Sequence, residues 1–498
     1  MNSKKYTFGA LISTLGLAAF LNLTYVLYRY VTLGTYLDHA EPDTAIMAWR
    51  YASGLALYYP IDAAEGLITA YGPLLYVLVS LPLKLFGPSI EMSKLAPTFA
   101  CGFSAVVFAL YVWRRFGWAY VGLAIIPFTG FILIVAPVSF WVRPESFTVL
   151  LVTIAVLSTL AMDKQRPWVT ALIVAACAGL AMNLKIHAFI YFVPLVFRHC
   201  TGNWIRVWPV MAAVSILLFL SPFALPNISP FNYINGIAGV IGERPLQTAS
   251  ILKALKWSPM FLAPGAILLL AWLSKAKKPS RADLTYFGVF AGCLILAYYP
   301  SSVQGSTWRQ LLPFFPLTID LFLRFLPLLD GKRALWIIGV VVFPLAIAII
   351  AVTPQKRVVT AFTGNSAWIE EAGRDIKTIM DRYPNQTIQM GYGEASQIGY
   401  PTTYLRPLFA FAGHAVTLSS PSSMERQFAG RPMPPAKLEW IKSCKTQIWV
   451  IPDNNRPFAM VSFLAEGRAF PESLEAAFIA NYQPRESVGK YKVWSCKK

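Results

Sequence analysis

Between residues 8 and 352 the chain is a near-continuous series of apolar runs, broken by short loops that carry Lys or Arg. A backbone in hydrocarbon has to satisfy its own N–H and C=O groups, so runs of this kind cross a bilayer as helices. A mean hydropathy of +0.52 agrees. So does a charged fraction of 13%, since soluble domains carry roughly 25%. The formal net charge of +19 does not indicate a nucleic-acid partner. The clustered bases sit in the short loops, where they set orientation or meet anionic headgroups of membrane lipids.

Lys4 and Lys5 precede the first run, which is long for a signal-peptide core and lacks a small-x-small cleavage site, so it reads as an uncleaved signal anchor. The expected crossings are 8–30, 95–113, 117–140, 146–162, 168–184, 186–198, 207–224, 258–274, 285–303, 311–327 and 334–352, about eleven by length. The run 67–87 is also apolar, but loop charge decides against a crossing there. If it only dips into the membrane, Arg114/Arg115, Lys164/Arg166, Arg198/Arg206, Lys275/Lys277/Lys278/Arg281 and Lys332/Arg333 all fall on the cytoplasmic side with the N-terminus. Tyr71-Gly-Pro73 and Pro82 would interrupt it.

Beyond residue 353 the texture becomes that of a small soluble α/β domain. Strand-like runs cover 387–391, 447–452 and 490–495, and helix-like ones cover 368–382 and 472–481. The expected division is a transmembrane domain, 1–353, whose first outer loop spans 34–93, followed by an extracytoplasmic domain, 354–498. Cys444 and Cys496 are the only cysteines on the outer side. An oxidising compartment permits a disulfide between them, and two free thiols are the alternative.

The first outer loop opens with Tyr36-Leu-Asp38-His39-Ala-Glu41-Pro-Asp43, three carboxylates and a histidine in a chain with only 24 acids. Asp43 would cap an interfacial helix over 44–59. The sharper reading makes Glu41 and Asp43 a catalytic pair, or the two protein ligands of a divalent cation such as Mg or Mn, facing a lipid-borne substrate. With the orientation above, other ionic residues also reach the outer face, at Arg143-Pro-Glu145, Lys185-Ile-His187, Glu243-Arg244 and Trp308-Arg309. Charges at the ends of crossings are costly unless they serve a site. The set suits transfer of a sugar from a polyprenyl phosphate. A carboxylate (Asp43, with Glu41 and Asp38 as rivals) accepts a proton from the acceptor hydroxyl. Lys185, Arg309 and Arg143 meet the charge on the leaving phosphate.

These motifs resemble those of the GT-C superfamily of integral-membrane glycosyltransferases, near the branch of protein O-mannosyltransferases and lipid A aminoarabinose transferases. Glu41-Pro-Asp43 looks like the family's acidic motif. Tyr51-Ala-Ser-Gly54 and Tyr71-Gly-Pro-Leu-Leu-Tyr76 look like the segments after it. Arg143-Pro-Glu145, Lys185 and Arg309-Gln-Leu-Leu-Pro313 look like later outer elements. The resemblance implies a GT-C-like fold and an inverting transfer on the extracytoplasmic face, with Glu145, His187, Tyr71 and Tyr76 in supporting roles. Pro42 within the acidic motif and Gln310 in place of an aromatic depart from the pattern. The acceptor would be a lipid, a glycan or a protein. A transporter or flippase of a lipid-linked anion is the alternative, and inverted repeats would mark it.

Overall fold

The structure, a computed structural model, describes residues 2–67, 69–163, 166–199, 204–241, 246–273, 278–303, 306, 308–331, 334, 337–338, 342, 345–347, 366–394, 400–452, 456–462 and 467–497. Among them seven helices are long and apolar enough to cross a membrane: Gly9–Val31, Ile90–Phe116, Pro167–Leu184, Ile205–Ala224, Thr248–Leu273, Arg281–Ser302 and Trp308–Leu328. Four shorter apolar helices are Pro73–Phe86, Trp118–Ile134, Glu145–Ser158 and Ile186–Arg198. The expected crossing 334–352 lies mostly outside the described residues, as do Glu243, Arg244, Gln304, Lys332 and Arg333. The run expected at 117–140 stops at Ile134, ahead of Pro137, which has no N–H for a further helical turn. Pro73–Phe86 has 14 residues, about 21 Å at 1.5 Å per residue, short of the roughly 30 Å of a hydrocarbon core.

The chain forms two compact units. One unit comprises Met1–Tyr30, Pro97–Pro222 and Leu246–Ala361, and the other Val31–Ala96, Phe223–Pro245 and Phe362–Lys498. The first outer loop thus groups with the C-terminal segment. The reason is chemical: its backbone carbonyls and acids are bonded by side chains from residues 406–437, as described below.

In the first unit, small residues let helices approach closely. A Cβ on Gly179 would collide with the backbone of Ser215, and Ser215 Oγ donates to the Ala175 carbonyl at 2.8 Å. The Pro167–Leu184 and Trp204–Leu220 helices therefore pack by contact and hydrogen bonding, as expected where lipid leaves no hydrophobic drive between helices. Asp320 is buried and accepts from Arg324 Nε at 2.8 Å and from the hydroxyls of Tyr111 and Tyr286. A charge inside an apolar bundle is kept only with such partners.

The second unit carries a four-stranded sheet of β1 (Ile388–Met390), β2 (Ile448–Pro452), β3 (Tyr482–Val488) and β4 (Tyr491–Cys496), in the order β1-β2-β4-β3. β1 and β2 are parallel, and β4 runs antiparallel to both β2 and β3. Its core gathers Trp449, Phe458, Phe470, Phe478 and Tyr482, and Cys444 is disulfide-bonded to Cys496. The expected strands at 387–391, 447–452 and 490–495 and helices at 368–382 and 472–481 are all present. β3 escapes a hydrophobic-alternation reading because Gln483, Pro484, Arg485 and Glu486 lie at its solvent-facing positions, and a register irregularity falls between Pro484 and Glu486.

Candidate functional site: an acidic turn and a basic cluster

The acidic turn lies in the second unit. Its helix begins at Glu41, not after Asp43. Pro42 suits the first turn of a helix, where no N–H is needed, so the start lies three residues earlier than expected. Asp43 is therefore not the N-cap that was expected. Ala40 takes that place without a side-chain cap, and Asp43 sits in the first turn. The carboxylate has other partners. Arg406 donates to Asp43 Oδ1 from Nη2 at 2.6 Å and from Nε at 3.2 Å, and Ser419 Oγ donates to Oδ2. Arg406 also donates to the backbone carbonyls of His39 and Thr403. Burial works against its charge, but the carboxylate beside it reverses the effect and holds the guanidinium well above its ordinary range.

Glu41 is fully buried, and its Oε1 accepts from the N–H groups of Leu37 at 2.8 Å and Asp38 at 3.0 Å. Asp38 Oδ1 accepts from Ala40 N at 3.0 Å, and its Oδ2 lies 3.3 Å from His39 Nδ1. His39 is therefore half-buried against a carboxylate. The three acids thus have separate tasks. Glu41 Oε1 and both Asp43 oxygens accept hydrogen bonds from protein donors. Among the described residues no group of three or more His, Cys, Asp or Glu could hold a metal ion.

Behind the acids, Lys94 is buried and donates to the carbonyls of Leu33 and Thr35. Tyr36 shares a 2.7 Å hydrogen bond with Ser93, and burial drives its phenol far above the usual range. The next stretch of loop is held by other cations. Arg50 donates to the carbonyls of Glu65 and Val416, Arg426 to that of Ile61, and Lys437 to those of Ala64, Gly66 and Thr417. Tyr76 is buried, with its hydroxyl 2.6 Å from that of Thr69. The Tyr71 carbonyl accepts from Tyr58 at 3.0 Å. Tyr71 and Tyr76 thus shape the loop.

The basic cluster lies in the first unit. Lys185 leaves the end of the Pro167–Leu184 helix in an extended conformation. Its ammonium sits 2.8 Å from Glu145 Oε1 and 3.1 Å from Gln310 Oε1. The other Glu145 oxygen accepts from Trp141 Nε1 at 3.3 Å. The guanidinium of Arg143 stacks 4.2 Å from the Trp141 ring centre, and that of Arg309 lies 5.6 Å from it. His187 Nε2 is 3.2 Å from Gln310 Oε1. Arg143, Glu145, Lys185, His187 and Arg309, picked from separate turns, therefore form one cluster. Gln310, noted only as a departure, is its polar hub. Three cations share it with one carboxylate, a balance suited to an anion.

Arg406, Ser419 and Lys437 escaped sequence reading. They lie hundreds of residues from the acidic turn in a segment of ordinary polarity, so nothing local marks them.

No family model and no curated protein sequence matches the chain. Solved structures do. ArnT from Cupriavidus metallidurans in the apo state aligns at a TM-score of 0.59 with 13% identity, covering 96% of this chain and 97% of that one. ArnT from the same organism bound to undecaprenyl phosphate aligns at 0.52 with 13% identity, over 98% and 97%. An Archaeoglobus fulgidus oligosaccharyltransferase, in complex with Zn and sulfate, gives 0.48 with 12% identity, over 88% and 68%. The chain shares the ArnT fold along essentially its whole length, and the GT-C-like architecture implied by the order of its motifs is the one observed.

Proposed function

We propose that this chain is a membrane glycosyltransferase that moves a sugar from a polyprenyl-phosphate donor to an acceptor hydroxyl on the extracytoplasmic face. Two lines support the reading. The fold is that of ArnT, a lipid A aminoarabinose transferase, one of whose structures holds undecaprenyl phosphate. The observation that carries it is the gathering of Arg143, Lys185 and Arg309 around Glu145 and Trp141.

In this reading the acceptor oxygen bonds to the anomeric carbon as the bond from that carbon to the phosphate oxygen breaks. The electron pair leaves on the polyprenyl phosphate. A phosphomonoester carries close to two negative charges, the surplus that three cations and one carboxylate can offset. Glu145 keeps Lys185 in place before the phosphate arrives, and Trp141 spaces the two guanidinium planes. Asp43 accepts the acceptor's proton. Arg406 fixes the direction of that carboxylate through two hydrogen bonds, which gives the base a defined geometry. The basic loops put the N-terminus in the cytoplasm and residues 362–498 outside.

The test is transfer from a radiolabelled polyprenyl-phosphate sugar by the purified full-length protein in nanodiscs. Arg309→Ala removes a half-buried cation. It should raise the donor KM at least tenfold while the melting temperature holds. An unchanged donor KM would remove the phosphate cradle. Movement of the intact donor between leaflets with no transfer would favour a flippase.

A further inference from the structure

The second unit contains a cavity of about 190 Å³ that the reaction above does not use. It is lined by Ser419, Ser422, Arg426, Arg431, Lys437 and Phe470, among others. At this volume it is smaller than a site for a drug-sized ligand, which starts at roughly 300 Å³, and suits a single sugar ring. Apolar atoms of Met433, Pro434 and Phe470 offer a face for ring C–H groups, and serine hydroxyls line the rest.

The electrostatics around this cavity are unbalanced. Lys437, Arg426 and Arg50 are 5%, 6% and 7% exposed, and all three spend their N–H groups on backbone carbonyls. Carbonyl dipoles solvate these charges without cancelling them. Buried cations are normally matched by a counter-charge. The carboxylates acting on Lys437 are Asp43, already paired with Arg406, and Glu65. Asp62, 3.5 Å from Arg426, is 75% exposed. Burial first, then the positive charge of Arg50 and Arg426, pushes the Lys437 ammonium down to about 7. Arg431 adds an exposed cation at the rim. One wall also leads to the candidate base, because Ser419 lines the cavity and donates to Asp43.

Building on the transferase reading, we propose that this cavity seats an anionic sugar of the acceptor, a phosphorylated or carboxylated hexose whose charge meets Arg431, Arg426 and Lys437. A ring held there presents a hydroxyl next to the Ser419–Asp43 pair. The C-terminal segment would thereby select an acidic acceptor.

Calorimetric titration of the full-length protein in nanodiscs tests this, with glucose 6-phosphate, galacturonate, glucose and inorganic phosphate as probes. The two acidic sugars should bind at least tenfold tighter than glucose and tighter than inorganic phosphate. Arg431→Glu, at an exposed position, should cut acidic-sugar affinity at least tenfold while the melting temperature holds. Binding near pH 7.5 should take up protons, as seen by comparing buffers of different ionisation enthalpy, because the arriving anion restores the charge on Lys437. Lys437→Met should remove that uptake. The proposal is overturned if no acidic sugar binds, if inorganic phosphate binds as tightly, or if Arg431→Glu binds as well as the wild type. Transfer that proceeds without acidic-sugar binding overturns this site alone. Acidic-sugar binding in a protein that transfers nothing overturns the transferase reading alone.

Discussion

The pair formed by Asp43 and Arg406 yields a quantitative prediction, because both members are shielded and only one is a candidate for chemistry. The Arg406 side chain is 1% exposed and that of Asp43 is 14% exposed. Asp43→Asn keeps an oxygen for Arg406 but removes the charge. Hydrogen bonds to charged groups are worth about 1.5–3 kcal/mol against about 0.5–1.5 kcal/mol for neutral ones, so the substitution should cost about 1–2 kcal/mol. Arg406→Met leaves the carboxylate shielded without its cation, at a cost of about 3–5 kcal/mol. In the double variant the stranded charge is gone, so the penalty should fall short of the sum by about 2 kcal/mol, the signature of direct coupling. Denaturation of the four proteins in nanodiscs, followed by intrinsic fluorescence, measures the cycle, and transfer is assayed in parallel. Arg406→Met retains the candidate base yet should lose transfer, because the carboxylate has lost its orientation. Arg406→Lys should recover stability better than turnover, since an ammonium cannot reproduce the two-nitrogen contact. Strictly additive penalties, or full transfer by Asp43→Asn, would refute the assignment.

Three further outcomes are expected. Lys437 has a folded-state value near 7 against an ordinary 10.5, so between those limits the unfolded chain binds the extra proton. Stability should therefore rise as pH increases from about 7 toward 10, with a slope of at most about 1.4 kcal/mol per pH unit, and Lys437→Met should abolish that slope in pH-dependent melts. Cys444→Ser should destabilise residues 362–498 by about 4 kcal/mol on the chain-entropy account, given a loop separation of 52 residues, and reductant should have the same effect on the wild type. A cysteine replacing the exposed Pro88 should react with a membrane-impermeant maleimide added outside intact cells. Labelling only after permeabilisation would show that residues 67–87 cross the membrane.

What was legible in the sequence follows a physical rule. Spans could be read because a helix in lipid has to be apolar all along, a constraint local to each run. The strands 387–391 and 447–452 could be read because both are rich in β-branched or apolar residues, whereas β3 hides behind Pro484 and its charged neighbours. Arg143, Glu145, Lys185 and Arg309 stood out because a charge at the end of an apolar helix is expensive. Their contacts did not, since Lys185 and Gln310 are 125 residues apart. Asp43 was visible as an acid, but its partner lies 363 residues away. Arginine in a segment of ordinary polarity is too common to attract attention.

The asymmetry between the two groups of ionic residues bears on what the C-terminal segment is for. In the first unit the cations are arranged around one carboxylate and a tryptophan, all drawn from helices and their ends. In the second, cations from residues 406–437 reach into the first outer loop and bond its carbonyls one after another, at Ile61, Ala64 and Gly66, while Arg406 takes Asp43. A loop that supplied the acid unaided would have no need of three distant cations. The loop has few internal backbone bonds of its own between Pro60 and Gly66, those of Ala63 and Gly66, so its conformation depends on these side chains. Removing residues 362–498 should therefore do more than delete an acceptor platform. It should release the acidic turn, and the truncated protein should lose transfer to any acceptor, however small. A truncation that still glycosylated a simple alcohol would show that the acids hold their geometry alone.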